Sequence, residues 1–178
     1  MRPSIVLGLW AATTVAGFWW YDGRYRLPVP ARVAEKPSIG ATLVEPDAKV
    51  TLLAFYSPSC ACSRFAEPHI RKLEQDYKAA GLKVRVVIED GDEGPDGLIS
   101  RVDVKGKIAR AFGVPAAPGA VVLDANGKVV YTGGFNVARF CDDSKTAFAQ
   151  AAIVAALANK APAITHGEFY GCAMPARN

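Results

Sequence analysis

Two cysteines separated by one residue, Cys60 and Cys62, lie in the stretch FYSPSCACSRFAEP, residues 55–68, between an apolar run and a segment with helical spacing. A thiolate is both the nucleophile of disulfide exchange and a soft metal ligand, so the pair raises two chemistries. A cysteine at a helix start has its anion stabilised by unsatisfied N–H groups and the macrodipole, which lowers its pKa from about 8.5. Cys60 is placed for that. Residues i and i+2 of a regular helix point to nearly opposite sides, so a Cys60–Cys62 disulfide needs Cys60 outside the helix and a distorted first turn. Such strain makes a bond easier to reduce, which suits disulfide donation or isomerisation better than strong reduction.

The rival chemistry is a two-cysteine clamp for Cu(I), as in a copper- or metal-binding delivery protein. It is short of ligands. The chain has two histidines. His69 falls on the inward stripe of its helix and reads as a packing residue, and His166 lies in a loop of the tail. The acidic loop 89–96 lacks the spacing of a calcium-binding loop and reads as a solvated turn. No metal site is therefore assigned.

Cys141 and Cys172 complete the inventory. They either form a structural disulfide tying the tail to the domain, or one of them resolves a mixed disulfide on Cys60; four cysteines allow three connectivities, and spacing does not choose. Cys141 directly precedes Asp142 and Asp143, which oppose its thiolate, and this suits a resolving thiol less acidic than Cys60.

These thiols must be positioned by a folded domain, and the composition permits one. The chain has 178 residues, 51% of them hydrophobic, so it can bury a core without disulfide staples. Its net charge of +4 is scattered among acidic residues, which excludes a nucleic-acid footprint. KVTLLAFY (49–56) reads as a central strand, and the segment beyond the cysteines as a helix stopped by Gly81. LKVRVVIE (82–89) alternates like a strand, and a helical stretch ends near Phe112. GAVVLD and KVVYTGG flank Asn126-Gly127, a strong hairpin signal. The alanine-rich stretch 142–160 reads as the last helix, acidic at its start and closed by Lys160. The order predicts an α/β domain over 42–160 with a mixed central sheet flanked by helices.

Residues 3–21 carry no charge, and at ~1.5 Å per helical residue they reach about 28 Å, close to a bilayer's hydrocarbon core. Trp19, Trp20 and Tyr21 close the run, followed by Arg24 and Arg26, which marks an anchor better than a cleaved signal peptide. Charge bias alone, Arg2 before the span against Arg24, Arg26, Arg32 and Lys36 after it, would keep the domain cytoplasmic, whereas cysteine usage favours an oxidising compartment. Residues 22–41 read as a linker and 161–178 as a tail.

The strand-to-cysteine segment TLLAFYSPSC and the block FGVPAAPGAVVLDANGKVV (112–130) together resemble the thioredoxin superfamily, and specifically its membrane-tethered periplasmic thiol–disulfide branch. The resemblance implies a thioredoxin-like fold behind a single transmembrane helix, in the inner membrane of a bacterium, with the domain facing the periplasm. It implies a thiol–disulfide oxidoreductase acting through Cys60 and Cys62 on protein thiols and disulfides, served by a redox partner protein and needing no cofactor. Pro118 takes the place of the family's cis-proline, Ala117 that of the residue whose backbone faces the substrate, and Gly133-Gly134 that of small residues beside the site. The sequence departs from the family at two points. Ser63 stands where the second cysteine of Cys-x-x-Cys would fall, and Ala54 where the preceding strand often carries a buried acid.

Overall fold

The computed structural model describes residues 3–28, 37–137 and 144–174. In chain order the elements are α1 (Pro3–Gly23), β1 (Arg26–Leu27), α2 (Gly40–Leu43), β2 (Val50–Phe55), α3 (Ala61–Tyr77) and β3 (Leu82–Glu89). They continue with β4 (Ser100–Asp103), α4 (Lys107–Phe112), β5 (Ala116–Ala117), β6 (Gly119–Asp124), β7 (Val129–Gly133), α5 (Phe148–Leu157), β8 (Phe169–Tyr170) and β9 (Cys172–Ala173).

Alternation along β2 divides the core in two. Val50, Leu52 and Ala54 point to one face, where they pack with Ala66, Ile70 and Leu73 of α3 and Ala149, Ala152 and Ile153 of α5. Leu53 and Phe55 point to the other, with Ile108, Ala109 and Phe112 of α4 and Phe169 of β8. Both faces of β2 are covered, so all six of its residues are buried. Each large apolar side chain enclosed this way contributes about 1.5–3 kcal/mol.

The sheet runs β4-β3-β2-β6-β7. β3 is parallel to β2 and β4, while β6 is antiparallel to β2 and β7. It is the mixed, helix-flanked sheet of the thioredoxin-like fold. The expected hairpin joins β6 to β7: Oδ1 of Asp124 accepts from the N–H groups of Asn126 (2.8 Å) and Lys128 (3.0 Å), and Gly127 takes the left-handed φ of 74° that the turn needs.

Three expectations need correction. The stretch before Phe112 holds a further strand, β4, and only six residues of helix. The last helix spans Phe148–Leu157, shorter than 142–160, with a 3-10 turn at Ser144–Thr146 before it; Asp142 and Asp143 lie outside the described residues. The segment expected as a linker is more than a spacer, because Leu27 and Ile39 within it pack against the second core cluster.

α1 matches the expected apolar segment and is long and apolar enough to cross a membrane, with none of its residues buried. Just beyond it, β1 pairs antiparallel with β8, setting Arg26 opposite Tyr170 and Leu27 opposite Phe169.

Candidate redox site

The turn after β2 delivers Cys60 to the N-terminus of α3. Cys60 is the N-cap residue, extended at φ −90° and ψ 117°, and its carbonyl accepts from the N–H groups of Ser63 (3.1 Å) and Arg64 (3.4 Å). Its own N–H donates to the Ser57 carbonyl (3.1 Å). The turn is closed a second time by Ser63, fully buried, whose hydroxyl oxygen accepts from the Ser57 N–H at 3.2 Å. The residue in the second cysteine's place thus braces the turn.

Cys60 is disulfide-bonded to Cys172, 112 residues away, with 6.0 Å between their Cα atoms. The bond is not the one expected between Cys60 and Cys62. Ala61 and Cys62 already lie inside α3, and Cys62 is a free thiol only 2% exposed, whereas Cys60, outside the helix, meets the tail. Of the connectivities the sequence left open, this one joins the tail to the helix start; Cys141 lies outside the described residues.

Cys172 belongs to β9, which pairs antiparallel with β5 and sets Cys172 opposite Ala117. The Ala117–Pro118 peptide bond is cis, as expected. Sγ of Cys60 lies 3.3 Å from the Ala117 carbonyl oxygen. Bonded to Cys172, that sulfur has no proton to donate; once reduced, its thiol can donate to the same oxygen. The N–H of Met174 completes the ladder by donating to the Pro115 carbonyl at 2.8 Å.

The rest of the tail is braced before it reaches the site. Gly134 donates to the Glu168 carbonyl (3.0 Å), Gly167 to Thr132 (3.0 Å), and Gly171 to Tyr25 (2.9 Å). Gly133 and Gly134, expected beside the site, are small because the tail passes over them: a Cβ on Gly133 would stand 2.7 Å from the Gly167 N, and one on Gly134 2.8 Å from the Glu168 O. Tyr131 donates to the Gly134 carbonyl at 2.6 Å, and burial raises its pKa well above the ordinary phenol value.

Neither histidine joins the described cysteines. His69 packs edge-on to Phe135 at 5.9 Å; its Nε2 is buried without a hydrogen-bond partner, and desolvation followed by Lys72 lowers its pKa. His166 contacts Thr165 and lines a groove of about 610 Å³ between α5 and the β6–β7 hairpin, which none of the described cysteines lines. The carboxylate of Asp103 is buried too, but it caps α4, accepting from Ile108 (2.7 Å) and Ala109 (2.9 Å). Ala54 is enclosed in the core. Among the described residues, no three His, Cys, Asp or Glu side chains gather as a metal site.

Gly171 is a site residue that sequence reasoning missed. Its neighbour Cys172 was the available signal, since the residue before a strand-paired cysteine must pass the strand opposite.

The chain belongs to the family of DUF6436, a domain of unknown function, whose model matches residues 32–175. No curated protein matches it. Among solved structures it is similar to a hypothetical protein of Sinorhizobium meliloti, at 20% identity and a TM-score of 0.58 over 84% of this chain and 92% of that one. An uncharacterized conserved protein of Geobacillus kaustophilus aligns at 17% identity and a TM-score of 0.61, over 84% and 90%. A candidate thiol:disulfide interchange protein DsbE of Chlorobium tepidum aligns at 24% identity and 0.52, over 75% and 97%. At these identities the likeness establishes the fold.

Proposed function

We propose that the protein is a thiol–disulfide oxidoreductase that exchanges disulfides with protein partners through Cys60. The observation that carries this is the Cys60–Cys172 disulfide itself: a cysteine at a helix N-terminus, bonded beside the backbone of Ala117 and a cis Pro118. A helix N-terminus favours the thiolate, which makes Cys60 the better leaving group when the bond opens and the better nucleophile near neutral pH. Ala117 and Pro118 supply the strand edge on which a partner cysteine is presented. Cys62 serves as a second thiol, able to close on Cys60 when the first turn of α3 opens. The likeness to the Chlorobium protein agrees with this chemistry.

α1 supports a single-pass tether. We place it in the inner membrane with the domain on the periplasmic side, because a standing disulfide suits an oxidising compartment. A copper-delivery function has less support, since Cys60 is bonded and no third ligand gathers near it among the described residues.

The test is disulfide exchange by the full-length protein in detergent with a reduced, unfolded protein dithiol. Each turnover moves two electrons: the partner's two thiols become a disulfide, and Cys60 and Cys172 become thiols. Activity that is lost in Cys60→Ser is the expected result. Unchanged activity in that variant, or tight one-equivalent Cu(I) binding with no exchange, would refute the proposal.

A further inference from the structure

The tail occupies the edge of β5 in the way a partner would. β9 lies outside the central sheet, is two residues long, and is held with its neighbours Gly171 and Met174 by the β5 ladder, the Met174–Pro115 and Gly171–Tyr25 hydrogen bonds, the packing of Met174 on the second core cluster, and the disulfide. It covers the reactive sulfur: Cys60 is 1% exposed, while Cys172 is half-buried and Ala173 is exposed. The segment before it is anchored independently by β8 on β1 and by the buried Phe169. Residues 171–174 can therefore leave while the rest of the tail stays.

The fit at Gly171 is restrictive. A Cβ there would stand 2.7 Å from the Ala117 carbonyl carbon and 3.0 Å from Cδ of Pro118, both in rigid parts of the chain. Any polypeptide that sets its cysteine opposite Ala117 in this register meets the same obstacle at the preceding residue.

Building on the exchange chemistry above, we propose that β9 is a tethered stand-in for the partner. The partner is an extended polypeptide whose reacting cysteine directly follows a glycine, and it competes with residues 171–174 for the edge of β5. In the reduced protein the Cys60 thiolate attacks the partner's cysteine sulfur. A Cys60–partner bond forms, the partner's disulfide breaks, and its other sulfur leaves as a thiolate and takes up a proton. Cys172 then returns on β9 as a thiolate and attacks Sγ of Cys60. The mixed disulfide breaks, the partner's cysteine leaves reduced, and the Cys60–Cys172 bond is restored. Run backwards, the same steps oxidise a partner dithiol.

The test uses reduced full-length Cys172→Ser protein in detergent, which cannot complete the second step and retains the adduct. Two peptides, acetyl-Tyr-Gly-Cys-Ala-amide and acetyl-Tyr-Ala-Cys-Ala-amide, are offered as symmetric disulfides, with glutathione disulfide as a control, and Cys60 adducts are timed by mass spectrometry. The glycine peptide should react at least tenfold faster than the alanine peptide. Adding Gly171→Ala, which unseats the tail, should speed the glycine peptide several-fold further. Equal rates for the two peptides would overturn the glycine requirement, and no effect of Gly171→Ala would overturn the competition, in both cases leaving Cys60 reactive with glutathione disulfide. If Cys60 reacts with none of the three, the exchange chemistry falls as well.

Discussion

Cys60 and Ala117 meet across the site, with the sulfur of one 3.3 Å from the carbonyl oxygen of the other. The oxygen disfavours an anion on that sulfur, and the N-terminus of α3 favours one. Disulfide bonding to Cys172 removes the charge and with it the conflict. The bonding pattern is directly measurable. Peptide mapping of unreduced protein should join the Cys60 and Cys172 peptides, and Cys62→Ser should leave that link intact. A Cys60–Cys62 link would contradict the structure. Removing the bond with Cys172→Ser should lower stability by about 2–4 kcal/mol, because it frees a loop of 112 residues in the unfolded chain.

Asp103 fixes the start of α4 through two hydrogen bonds from backbone N–H groups. Replacing it with alanine leaves both donors buried and unpaired, at a cost of about 2 kcal/mol in urea denaturation. Asp103→Asn, which keeps one acceptor oxygen, should lose less. Equal stability of wild type and Asp103→Ala would show that the cap carries no load.

His69 makes stability depend on pH. Burial lowers its pKa below the ordinary value near 6.5, so on acidification the unfolded chain takes up a proton before the folded one does. Its contribution is complete above about pH 6.5 and is lost as pH falls from there through the lower folded value. The urea midpoint should therefore drop as pH falls below about 6.5, and His69→Leu should flatten that slope. An identical slope in the variant would place the dependence on other groups.

α1 should decide where the protein is found. The full chain should stay with membranes through an alkaline carbonate wash, and deletion of residues 1–23 should release it. Release of the full chain by the wash would count against a spanning helix.

Much of the fold was legible because its strands carry their own signals. β2 is a short apolar run, β3 alternates and is rich in β-branched residues, and the β6–β7 hairpin is announced by Asn126-Gly127. Pro118 could be placed through the resemblance of its block, residues 112–130, to the thioredoxin superfamily. The short strands β1, β5, β8 and β9 were not legible. Two residues have no periodicity, and each of these strands exists because another segment of the chain supplies its partner. The same gap hid the bonding of Cys60. Cys62 lies two residues away and Cys172 far along the chain, yet side-chain direction at the start of α3 turns the first inward and leaves Cys60 facing the tail. Ser63 was read as a missing cysteine; that it closes the turn through the Ser57 N–H appears only once the backbone is placed.

The pairing of β1 with β8 sets a length. From Gly23, where α1 ends, the path to Cys172 runs four residues to Leu27, one step across the ladder to Phe169, and three residues onward. Fully stretched, that is no more than about 30 Å. Aromatic and hydrogen-bonding contacts hold the path together: Tyr25 stacks on Tyr170, and Asp22 accepts from the Tyr170 hydroxyl at 2.9 Å. The disulfide thus hangs from the end of α1 on a short leash. With α1 in a bilayer, the reactive sulfurs would patrol a shallow layer next to the lipid surface, and a cysteine displayed high above that layer would be out of range.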